Sequence, residues 1–579
     1  MIVKELERLV LEAVETLGGP PIQAVVFERS QYAEHGDYST NVALALGQLL
    51  KRAPREVAES MVSAMRSKVD AKGPIEKIEV AGPGFINFFL SKEYLFGELN
   101  EVLKKKEAYA KSFSWKGKRV MVEFTDPNPF KEFHVGHLYS NIVGESLCRL
   151  FEAQGARVRR VNYQGDVGLH VAKAIWGMRQ HGISMQDLEK KTLSERVRFL
   201  GRSYAAGSAA YGEQEEARRD IEALNAKIFA RDASVREMYE KGKKWSLEYF
   251  ETMYKRLGTK FSAYYFESQV GKIGLGIVEE GLKKGIFEKS QGAIVFPGEK
   301  YGLHTRVFVN AQGLPTYEAK ELGLAPTKYK DFKYDLSVIV TGSEVIEYFR
   351  VLLRVLEQVY PDLAQKTRHV AHGMVRLPEG KISSRTGNLI TAEEMIEGVR
   401  GRVSQLVNSP GSKIQEQEKE AAEENIALGA IKYSFLKGNL GKDIVFDVEK
   451  SLSLDGDSGP YLQYAYARCK SILSKLSPTK FSSKNLDVVK VSKEEMDILR
   501  HIQKFPEIVQ EAAEKLAPNA IANFALGLAQ KYNFFYNTHP VLKAKTPQTV
   551  EFRLCLTAAA AQLLQNSLFL LGIKTPERM

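Results

Sequence analysis

The feature that most constrains the fold of this chain is a short apolar strand, followed by a proline-containing loop and two histidines one helical turn apart. Residues 120–124 form the strand, and residues 128–137 read Asn-Pro-Phe-Lys-Glu-Phe-His-Val-Gly-His. Ligands collect at the carboxyl ends of strands in open parallel sheets. A helix that begins near His134 would direct its amide donors and positive dipole end at a phosphorylated ligand. We therefore predict a nucleotide-binding α/β domain that starts at this strand.

The residues around the two histidines suit a nucleotide. His134 and His137 are three residues apart and project on one helix face, where both can donate to phosphate oxygens. Gly136 lets a purine lie against bare backbone, and Lys131 lies in the approach loop. Without further signals, a histidine pair of this kind is equally well a helix-surface coincidence or a fragment of a metal site. No third metal ligand stands out nearby.

A second signal lies far downstream, where residues 380–385 read Gly-Lys-Ile-Ser-Ser-Arg. Lys381 can neutralise pyrophosphate from this glycine-flanked loop, and Ser383 and Ser384 add donors. Such loops are also common in solvated turns. Both signals in this order predict an ATP site in which catalysis depends on positioning and charge neutralisation. We expect Mg²⁺ on the nucleotide, held mainly by phosphates and water, and no tightly bound cofactor.

The bulk properties limit the class of protein. A chain of 579 residues is too long for one core and predicts several domains. The net charge of +11 favours a polyanionic partner. Three widely separated cysteines argue against a disulfide framework and a Cys-rich zinc site. The sequence contains neither a signal or transit peptide pattern nor an apolar run long enough to span a membrane, so we expect a cytoplasmic location.

The composition along the chain predicts three parts. Residues 1–115 are expected to form a small α+β domain, in which the polar turn at residues 35–41 caps a helix. Residues 116–400 predict a parallel α/β domain with further strands at 158–161, 294–296, 307–309 and 336–340 and a helical insertion at 183–258. Residues 410–579 are patterned as helices throughout.

Three longer motifs carry a family resemblance. Residues 122–128 with 134–138, residues 459–468 (Gly-Pro-Tyr-Leu-Gln-Tyr-Ala-Tyr-Ala-Arg) and residues 571–579 resemble arginyl-tRNA synthetases, which are class I aminoacyl-tRNA synthetases. The resemblance covers nearly the whole chain. It implies a Rossmann-like catalytic domain, an α+β amino-terminal domain and an all-α anticodon-binding domain. It also implies that ATP and L-arginine form arginyl-adenylate, and that arginine is transferred to the 2′-hydroxyl of the terminal adenosine of tRNA(Arg).

The arginine pocket can be argued from the residues and from the resemblance. A guanidinium is planar, always charged and best bound by carboxylates, and Glu123 ends the first strand beside the nucleotide loop. The resemblance implies that Glu123 binds the guanidinium, that Asn128 holds the backbone end of the amino acid, and that Tyr317 and Glu321 surround the arginine. Glu321 stands where the family usually has Asp, and Val345 where Gln is common. Without the resemblance, a strand-end salt bridge and a solvated helix face explain these residues as well.

Two sets of residues are expected to contact tRNA. The resemblance implies that Phe85 and Asn87 read a base in the outer corner of the tRNA, by stacking and by hydrogen bonding to its edge. It also implies that the anticodon site is lined by four residues of the carboxy-terminal part: Tyr461, Tyr464, Tyr536 and Met579. Ordinary packing in a protein core is the competing explanation for Phe85 and for the tyrosines.

Three other functions remain open at this stage. A class I synthetase for another cation or a small amino acid would not need Glu123 and Asn128 together with the Gly-Pro-Tyr-Leu-Gln-Tyr motif. A catalytically silent tRNA-binding paralogue would have no use for His134, His137 and Lys381. A small-molecule ligase would not need the two flanking domains. We also expect a monomer. The residues Gly165-Asp166 after the second strand are expected to form a turn, and a contribution to the site is the alternative.

Overall fold

The computed structural model describes residues 2–30, 33–70, 72–378, 390–408, 415–476 and 490–579. Its amino-terminal part contains four helices, α1 (Ile2–Thr16), α2 (Val42–Leu50), α3 (Pro54–Arg66) and α4 (Lys92–Lys105). Its strands are β1 (Glu28–Arg29), β2 (Tyr38–Thr40), β3 (Ile75–Ala81) and β4 (Phe85–Leu90). They form an antiparallel sheet in the order β1-β2-β4-β3. Leu6, Val10 and Val14, spaced four residues apart, bury one face of α1.

The middle of the chain contributes nine strands: β5 (Arg119–Glu123), β6 (Arg157–Gln164), β7 (Ala263–Phe266), β8 (Glu288–Ser290), β9 (Ala293–Phe296), β10 (Arg306–Val309), β11 (Leu336–Gly342), β12 (Thr367–His372) and β13 (Val375–Arg376). Five of them form a parallel sheet in the order β12-β11-β5-β6-β7. The predicted Rossmann-like α/β fold is thereby confirmed. Strand β5 lies at the centre, so its carboxyl end opens between those of β6 and β11.

Helices surround this sheet: α5 (Val135–Ala153), α6 (Leu169–Gln180), α7 (Met185–Glu189), α8 (Leu193–Glu213), α9 (Glu215–Ala230), α10 (Ala233–Leu257), α11 (Glu267–Lys283), α12 (Tyr317–Asp331), α13 (Ile346–Val359), α14 (Pro361–Lys366) and α15 (Ala392–Val407). The run from α6 to α10 lies between β6 and β7 in the sequence and has its own core, which includes Ile175, Ile221 and Trp245. Helical structure in this insertion therefore starts at Leu169, ahead of the predicted residue 183.

Two strands expected in the parallel sheet lie elsewhere. The segments at 294–296 and 307–309 belong to β9 and β10, which form a separate antiparallel sheet in the order β10-β9-β8. The reason is local: Gln291 and Gly292 join β8 to β9 with φ values of +49° and +80°. Two successive left-handed residues form the tight turn that reverses a chain into a hairpin. The prediction that these segments join the parallel sheet was wrong.

The carboxy-terminal part is helical, as predicted, apart from one short strand, β14 (Ile444–Val445), which pairs in parallel with β13. Its helices are α16 (Glu416–Leu436), α17 (Val448–Ser451), α18 (Gly459–Leu473), α19 (Lys493–Ile502), α20 (Phe505–Glu514), α21 (Asn519–Thr538) and α22 (Pro547–Leu570). In the described part of the chain, no helix is long and apolar enough to cross a membrane.

The polar turn at residues 35–41 connects the two ends of the chain. Its Asp37 carboxylate accepts a hydrogen bond from Leu90 N–H at 2.8 Å and pairs with Arg500 at 3.2 Å. The Tyr38 hydroxyl donates to Glu507 of α20 at 2.9 Å. Asn41 does precede α2, but its side chain makes no capping hydrogen bond. The turn was expected to cap a helix, and its buried polar groups instead hold the amino-terminal domain against the carboxy-terminal helices.

Candidate active site

The two histidines cap the amino terminus of α5 reciprocally. Nδ1 of His134 accepts a hydrogen bond from Gly136 N–H at 3.1 Å, and Nδ1 of His137 accepts one from His134 N–H at 3.3 Å. The two rings stack with their centroids 3.6 Å apart. The structure thus brings both predicted residues together and uses their Nδ1 atoms to satisfy amide groups that the first helical turn leaves without partners.

The protonation of the pair follows from this geometry. Burial, with the positive charge of Lys131, lowers the pKa of His134 to about 4. Burial, with the neighbouring His134, lowers the pKa of His137 well below its usual value. Both rings are therefore neutral at pH 7, and because each Nδ1 accepts a hydrogen bond, each proton resides on Nε2. The site offers two neutral N–H donors, which suit phosphate oxygens.

The glycine between the histidines has a further reason to be small. A Cβ atom at Gly136 would lie 3.0 Å from Cε1 and Nδ1 of the His134 ring. That contact is tighter than an ordinary carbon–carbon contact of about 3.5 Å, so a larger residue would displace the capping ring. Gly136 therefore keeps the His134 ring in place, in addition to the role we predicted for it.

The chain that follows the second ATP signature is anchored at the histidine turn. Val135 N–H donates to the Ile390 carbonyl at 3.1 Å, and Ala392 N–H donates to the Phe133 carbonyl at 2.8 Å. These bonds form a short antiparallel bridge between His134 and Thr391. The predicted residues Lys381, Ser383 and Ser384 lie outside the described residues. The described chain resumes at residue 390, directly beside the two histidines.

The loop between β5 and α5 has an uncommon backbone. Thr125, Asp126 and Phe130 have φ values of +78°, +45° and +68°, a region that residues other than glycine seldom adopt. Surrounding groups hold the loop in this shape: Thr125 N–H donates to Ser140 Oγ, and Phe130 N–H donates to Ser246 Oγ, each at 2.9 Å. Strained backbone of this kind concentrates at ligand-binding sites.

Lys131 follows this loop and reaches the helical insertion. Its Nζ lies 4.8 Å from the centroid of the Tyr204 ring in α8. The contact is a cation–π interaction, and it keeps the ammonium near the histidine turn rather than free in solvent. The insertion therefore helps to position a predicted ATP-binding residue.

Glu123 ends β5 in the interior and is already paired. Its Oε2 lies 2.6 Å from Nζ of Lys328 in α12, and both side chains are almost completely buried. Although burial opposes the charge, the carboxylates of Glu123 and Glu321 raise the pKa of Lys328 above its usual value. Lys328 was not predicted, yet it follows Tyr317 and Glu321 at helical spacing along one face of α12.

The carboxylates in this pocket outnumber the cations. Burial and the nearby Glu123 raise the pKa of Glu321 to about 8, with Lys328 opposing the shift. Burial and the same glutamate raise the pKa of Asp126 well above its usual value. Within the described part of the chain, Glu123, Asp126 and Glu321 thus share one lysine, Lys328. A pocket with two uncompensated carboxylates attracts protons or an organic cation.

The other predicted arginine contacts lie around this pocket. Asn128 Oδ1 accepts a hydrogen bond from Gly165 N–H at 3.1 Å. A Cβ at Gly165 would lie 2.3 Å from that oxygen, so the contact requires glycine. Tyr317 is half exposed at the start of α12, and its hydroxyl lies 3.4 Å from Nδ1 of His170. Val345 closes a 3₁₀ turn after β11 and packs beside Ile339.

Two residues near the pocket were not among the predicted site residues. His170 is buried, its Nε2 lies 2.7 Å from the Gly165 carbonyl, and burial lowers its pKa to about 3. Asp166 is completely buried and accepts from Lys243 at 2.6 Å and from Ser268 Oγ at 2.7 Å. A turn was expected at Gly165-Asp166, with a contribution to the site as the alternative. These two residues connect Asn128, α10 and α11 at the end of β6, but nothing in the sequence identified these partners.

The predicted base-reading residues lie on β4. Phe85 and Asn87 are two residues apart and share one face of the strand. Phe85 is partly exposed, whereas Asn87 is only 5% exposed. Phe88, on the opposite face, packs in the core. Phe85 is therefore available for stacking, while Asn87 offers little surface to a partner.

A large cavity lies in the carboxy-terminal part. It has a volume of about 1270 Å³, and the lining includes Tyr464, Tyr536 and Met579 but not Tyr461. The Arg468 guanidinium lies between two of these rings, 4.9 Å from Tyr464 and 5.1 Å from Tyr536. Aromatic rings beside a guanidinium are typical of sites for unstacked bases. Three of the four predicted anticodon residues therefore meet here.

Metal ligands do not cluster in the described part of the chain, where no group of three or more His, Cys, Asp or Glu side chains could hold an ion. The three cysteines are separate and buried. The pair of histidines has both Nδ1 atoms engaged with backbone amides. Its arrangement is that of a helix cap with two free donors.

Comparison with protein families gives three matches in chain order. Residues 4–90 match the model "Arginyl tRNA synthetase N terminal domain", and residues 98–448 match "tRNA synthetases class I (R), catalytic domain". Residues 462–579 match "DALR anticodon binding domain". The matches cover nearly the whole sequence.

Individual relatives agree with these matches. The arginine–tRNA ligase of Clostridium kluyveri is 32% identical over 551 residues, which cover 94% of each chain. That of Borrelia hermsii is 30% identical over 565 residues, covering 96% of this chain and 94% of its own. Among solved structures, the arginyl-tRNA synthetase of Thermus thermophilus aligns over the full length of both chains with a TM-score of 0.81 and 25% identity.

Proposed function

The chain belongs to the arginyl-tRNA synthetase family, and we propose that the pocket between β5, β6 and α12 binds the arginine for its ligase reaction. The function is that of an arginine–tRNA ligase. ATP and arginine give arginyl-adenylate and pyrophosphate, and arginine then passes to tRNA. The observation that carries the pocket assignment is the excess of buried carboxylates at the end of β5, directly beside the histidine turn.

In this pocket Glu123 and Glu321 bind the guanidinium. Lys328 holds one oxygen of Glu123 at 2.6 Å and leaves the other for the substrate. Asn128, fixed by Gly165, orients the backbone end of arginine, and Tyr317 covers the entrance. Such a site rejects uncharged analogues, since they would leave buried carboxylates unpaired.

The histidine turn binds ATP. His134 and His137 donate their Nε2 protons to phosphate oxygens, and Lys131 adds a positive charge. As the arginine carboxylate oxygen attacks the α-phosphorus, negative charge grows on the departing pyrophosphate, and fixed donors stabilise it. Lys381, Ser383 and Ser384 belong to the segment that re-enters the described chain beside these histidines, and we assign them to the pyrophosphate. Mg²⁺ accompanies ATP as part of the substrate.

The tRNA(Arg) is bound at both ends of the chain. The cavity with Tyr464, Tyr536 and Met579 takes anticodon bases, and Arg468 stacks with the two tyrosines. Tyr461 is partly buried against the core and supports this helix. Phe85 and Asn87 of β4 take a base in the outer corner of the tRNA. For Asn87 this requires a small movement of its strand face, because the side chain is nearly buried.

The remaining assignments follow from the sequence. We assign residues 1–115 to the amino-terminal tRNA-binding domain, 116–400 to the catalytic domain and 410–579 to the anticodon-binding domain. The protein works as a cytoplasmic monomer. Analytical ultracentrifugation of the full chain with and without tRNA tests the monomer, and a dimer under both conditions would contradict it.

Arginine-dependent ATP–pyrophosphate exchange, run with and without matching tRNA, tests the function and the pocket. We expect exchange with arginine and none with citrulline, whose side chain has the same shape but no charge. Exchange only with tRNA present would indicate that tRNA completes the activation site. Folded protein that binds tRNA but catalyses no exchange would contradict the ligase assignment and favour a silent tRNA-binding paralogue.

A further inference from the structure

Glu123 at the end of β5, and Asp126 and Asn128 in the loop after it, lie at successive levels along β6. The steps are two residues each: Glu123 is in register with Val161, Asp126 Oδ1 accepts from Tyr163 N–H at 2.7 Å, and Asn128 Oδ1 accepts from Gly165 N–H at 3.1 Å. Two strand residues advance by about 6.6 Å. Asp126 therefore lies roughly one such step above Glu123, toward the histidine turn, and below Asn128.

This spacing corresponds to the length of arginine. Six bonds separate its α-amino nitrogen from its guanidinium carbon, and at about 1.2 Å of advance per bond an extended chain spans about 7 Å. With the guanidinium at Glu123, the α-ammonium group of arginine therefore reaches the level of Asp126. Its carboxylate then points onward to Asn128 and the histidine turn, where the α-phosphate must lie.

The charges of the pocket also match those of arginine. Among the residues that the structure describes, Glu123, Asp126 and Glu321 face one cation, Lys328, which leaves two carboxylates uncompensated. Arginine brings two positive groups, and its own carboxylate loses its charge when the adenylate forms. The neighbouring pair of Glu267 and Lys320 is balanced and adds no net charge.

Two polar atoms at this level lack partners. In the described part of the chain, the hydrogen bond to Asp126 is accepted by Oδ1, and no donor reaches Oδ2. The Tyr163 hydroxyl is buried without a hydrogen-bond partner among the described residues. Burial raises the pKa of this hydroxyl well above its usual value, and the carboxylates of Glu267 and Glu321 add to the shift. A buried hydroxyl without a partner is costly, and a ligand in the pocket would satisfy it.

We propose that Asp126 binds the α-ammonium group of arginine through Oδ2. The inference rests on the proposed arginine pocket and adds a specificity residue to it. Glu123 and Glu321 select the side chain, and Asp126 selects the amino group of an α-amino acid. A guanidinium compound without that amino group leaves Asp126 without a cationic partner.

The test compares arginine with 5-guanidinopentanoic acid, which is arginine without its α-amino group. Isothermal titration calorimetry on the full chain, with tRNA present, gives the dissociation constants for the wild type and for Asp126→Asn. The asparagine keeps an oxygen to accept from Tyr163 N–H, so the backbone contact persists. We expect the variant to bind arginine about 10- to 100-fold more weakly, as for loss of a hydrogen bond to a charged group. Binding of 5-guanidinopentanoic acid should change by less than about threefold.

Two further variants distinguish a specific role of Asp126 from a general effect on the pocket. Asp335→Asn removes a carboxylate that also accepts a backbone N–H, from Arg119 at 2.8 Å, but at the opposite end of β5. Asp335→Asn should leave the binding of both ligands unchanged. Glu123→Gln should weaken the binding of both ligands. If Asp126→Asn weakened both ligands equally, or neither, the inference would be wrong while the pocket assignment stood. If wild-type protein bound no arginine, the proposed pocket itself would fail.

Discussion

In the proposed arginine pocket, binding of arginine should release protons, because burial raises the pKa of carboxylates that a cationic substrate needs ionised. Burial and Glu123 raise the pKa of Glu321 to about 8 in the empty pocket. The ionised form binds the cation, so binding favours loss of the proton. Affinity for arginine therefore rises with pH below 8 and falls as the pH is lowered.

The magnitude follows from that pKa. With a pKa of about 8, the ionised fraction of Glu321 is about one quarter at pH 7.5 and about one hundredth at pH 6. Arginine keeps both positive charges over this range, so its affinity should fall by about 25-fold or more between these pH values. At pH 7 Glu321 alone should release about 0.9 proton per arginine bound. Asp126, whose pKa is also raised, adds to this number.

Calorimetric titrations of arginine at pH 7, in buffers with different ionisation enthalpies, measure the protons released. Glu321→Gln should release about one proton fewer than the wild type. Glu318→Gln is the matched control, because Glu318 lies on the same helix and pairs with Arg306 at 3.5 Å. The Glu318→Gln variant should release as many protons as the wild type. Wild-type binding without proton release, or equal release by Glu321→Gln, would refute the reasoning.

Three other predictions concern the pocket, the core and the tRNA site. Glu123→Gln should raise the arginine KM in ATP–pyrophosphate exchange by about 100-fold, as for an unpaired buried charge, and change the ATP KM by less than about threefold; equal changes in both would contradict the pocket. Gly144→Ala should lower the free energy of unfolding by about 1–3 kcal/mol in chemical denaturation, because its Cβ would lie 2.1 Å from the Phe124 ring. Gly97→Ala, in a helix with nothing within 4 Å of its Cβ, should instead be neutral or stabilising by up to about 1 kcal/mol. Tyr536→Ala should raise the KM for tRNA in aminoacylation about tenfold, and an unchanged KM would remove it from the anticodon site.

Local sequence patterns predicted the catalytic fold well where a single element determined the outcome. The strand, the proline-containing loop and the histidine-capped helix are all present, as β5, residues 124–134 and α5. The pairing of β8 and β9 was missed because it depends on the turn at Gln291 and Gly292, whose left-handed backbone the apolar pattern does not encode. The interdomain role of Asp37 was missed because its partner, Arg500, is more than 460 residues away in the sequence.

In the candidate pocket, too, the sequence predicted some residues and missed others. Tyr317 and Glu321 were predicted from the resemblance and from their spacing, whereas Lys328 and Asp126 were not assigned. Lys328 had a usable signal, since residues 317, 321 and 328 lie on one helical face. Asp126 had none, because the partner that positions it, Tyr163 N–H, is a backbone group on another strand.

The buried pair of Glu123 and Lys328 is best understood through the substrate. Desolvation of two charges offsets most of their attraction, so such a pair contributes little to stability by itself. In the proposed arginine pocket, however, Lys328 compensates one of the three carboxylates among the described residues, and the excess equals the two positive groups of arginine. Replacing Lys328 with methionine should therefore weaken arginine binding less than replacing Glu123 with glutamine does, because the methionine variant keeps every carboxylate. If Lys328→Met abolished arginine binding in folded protein, the lysine would itself be a substrate ligand, and this account of the charge balance would be wrong.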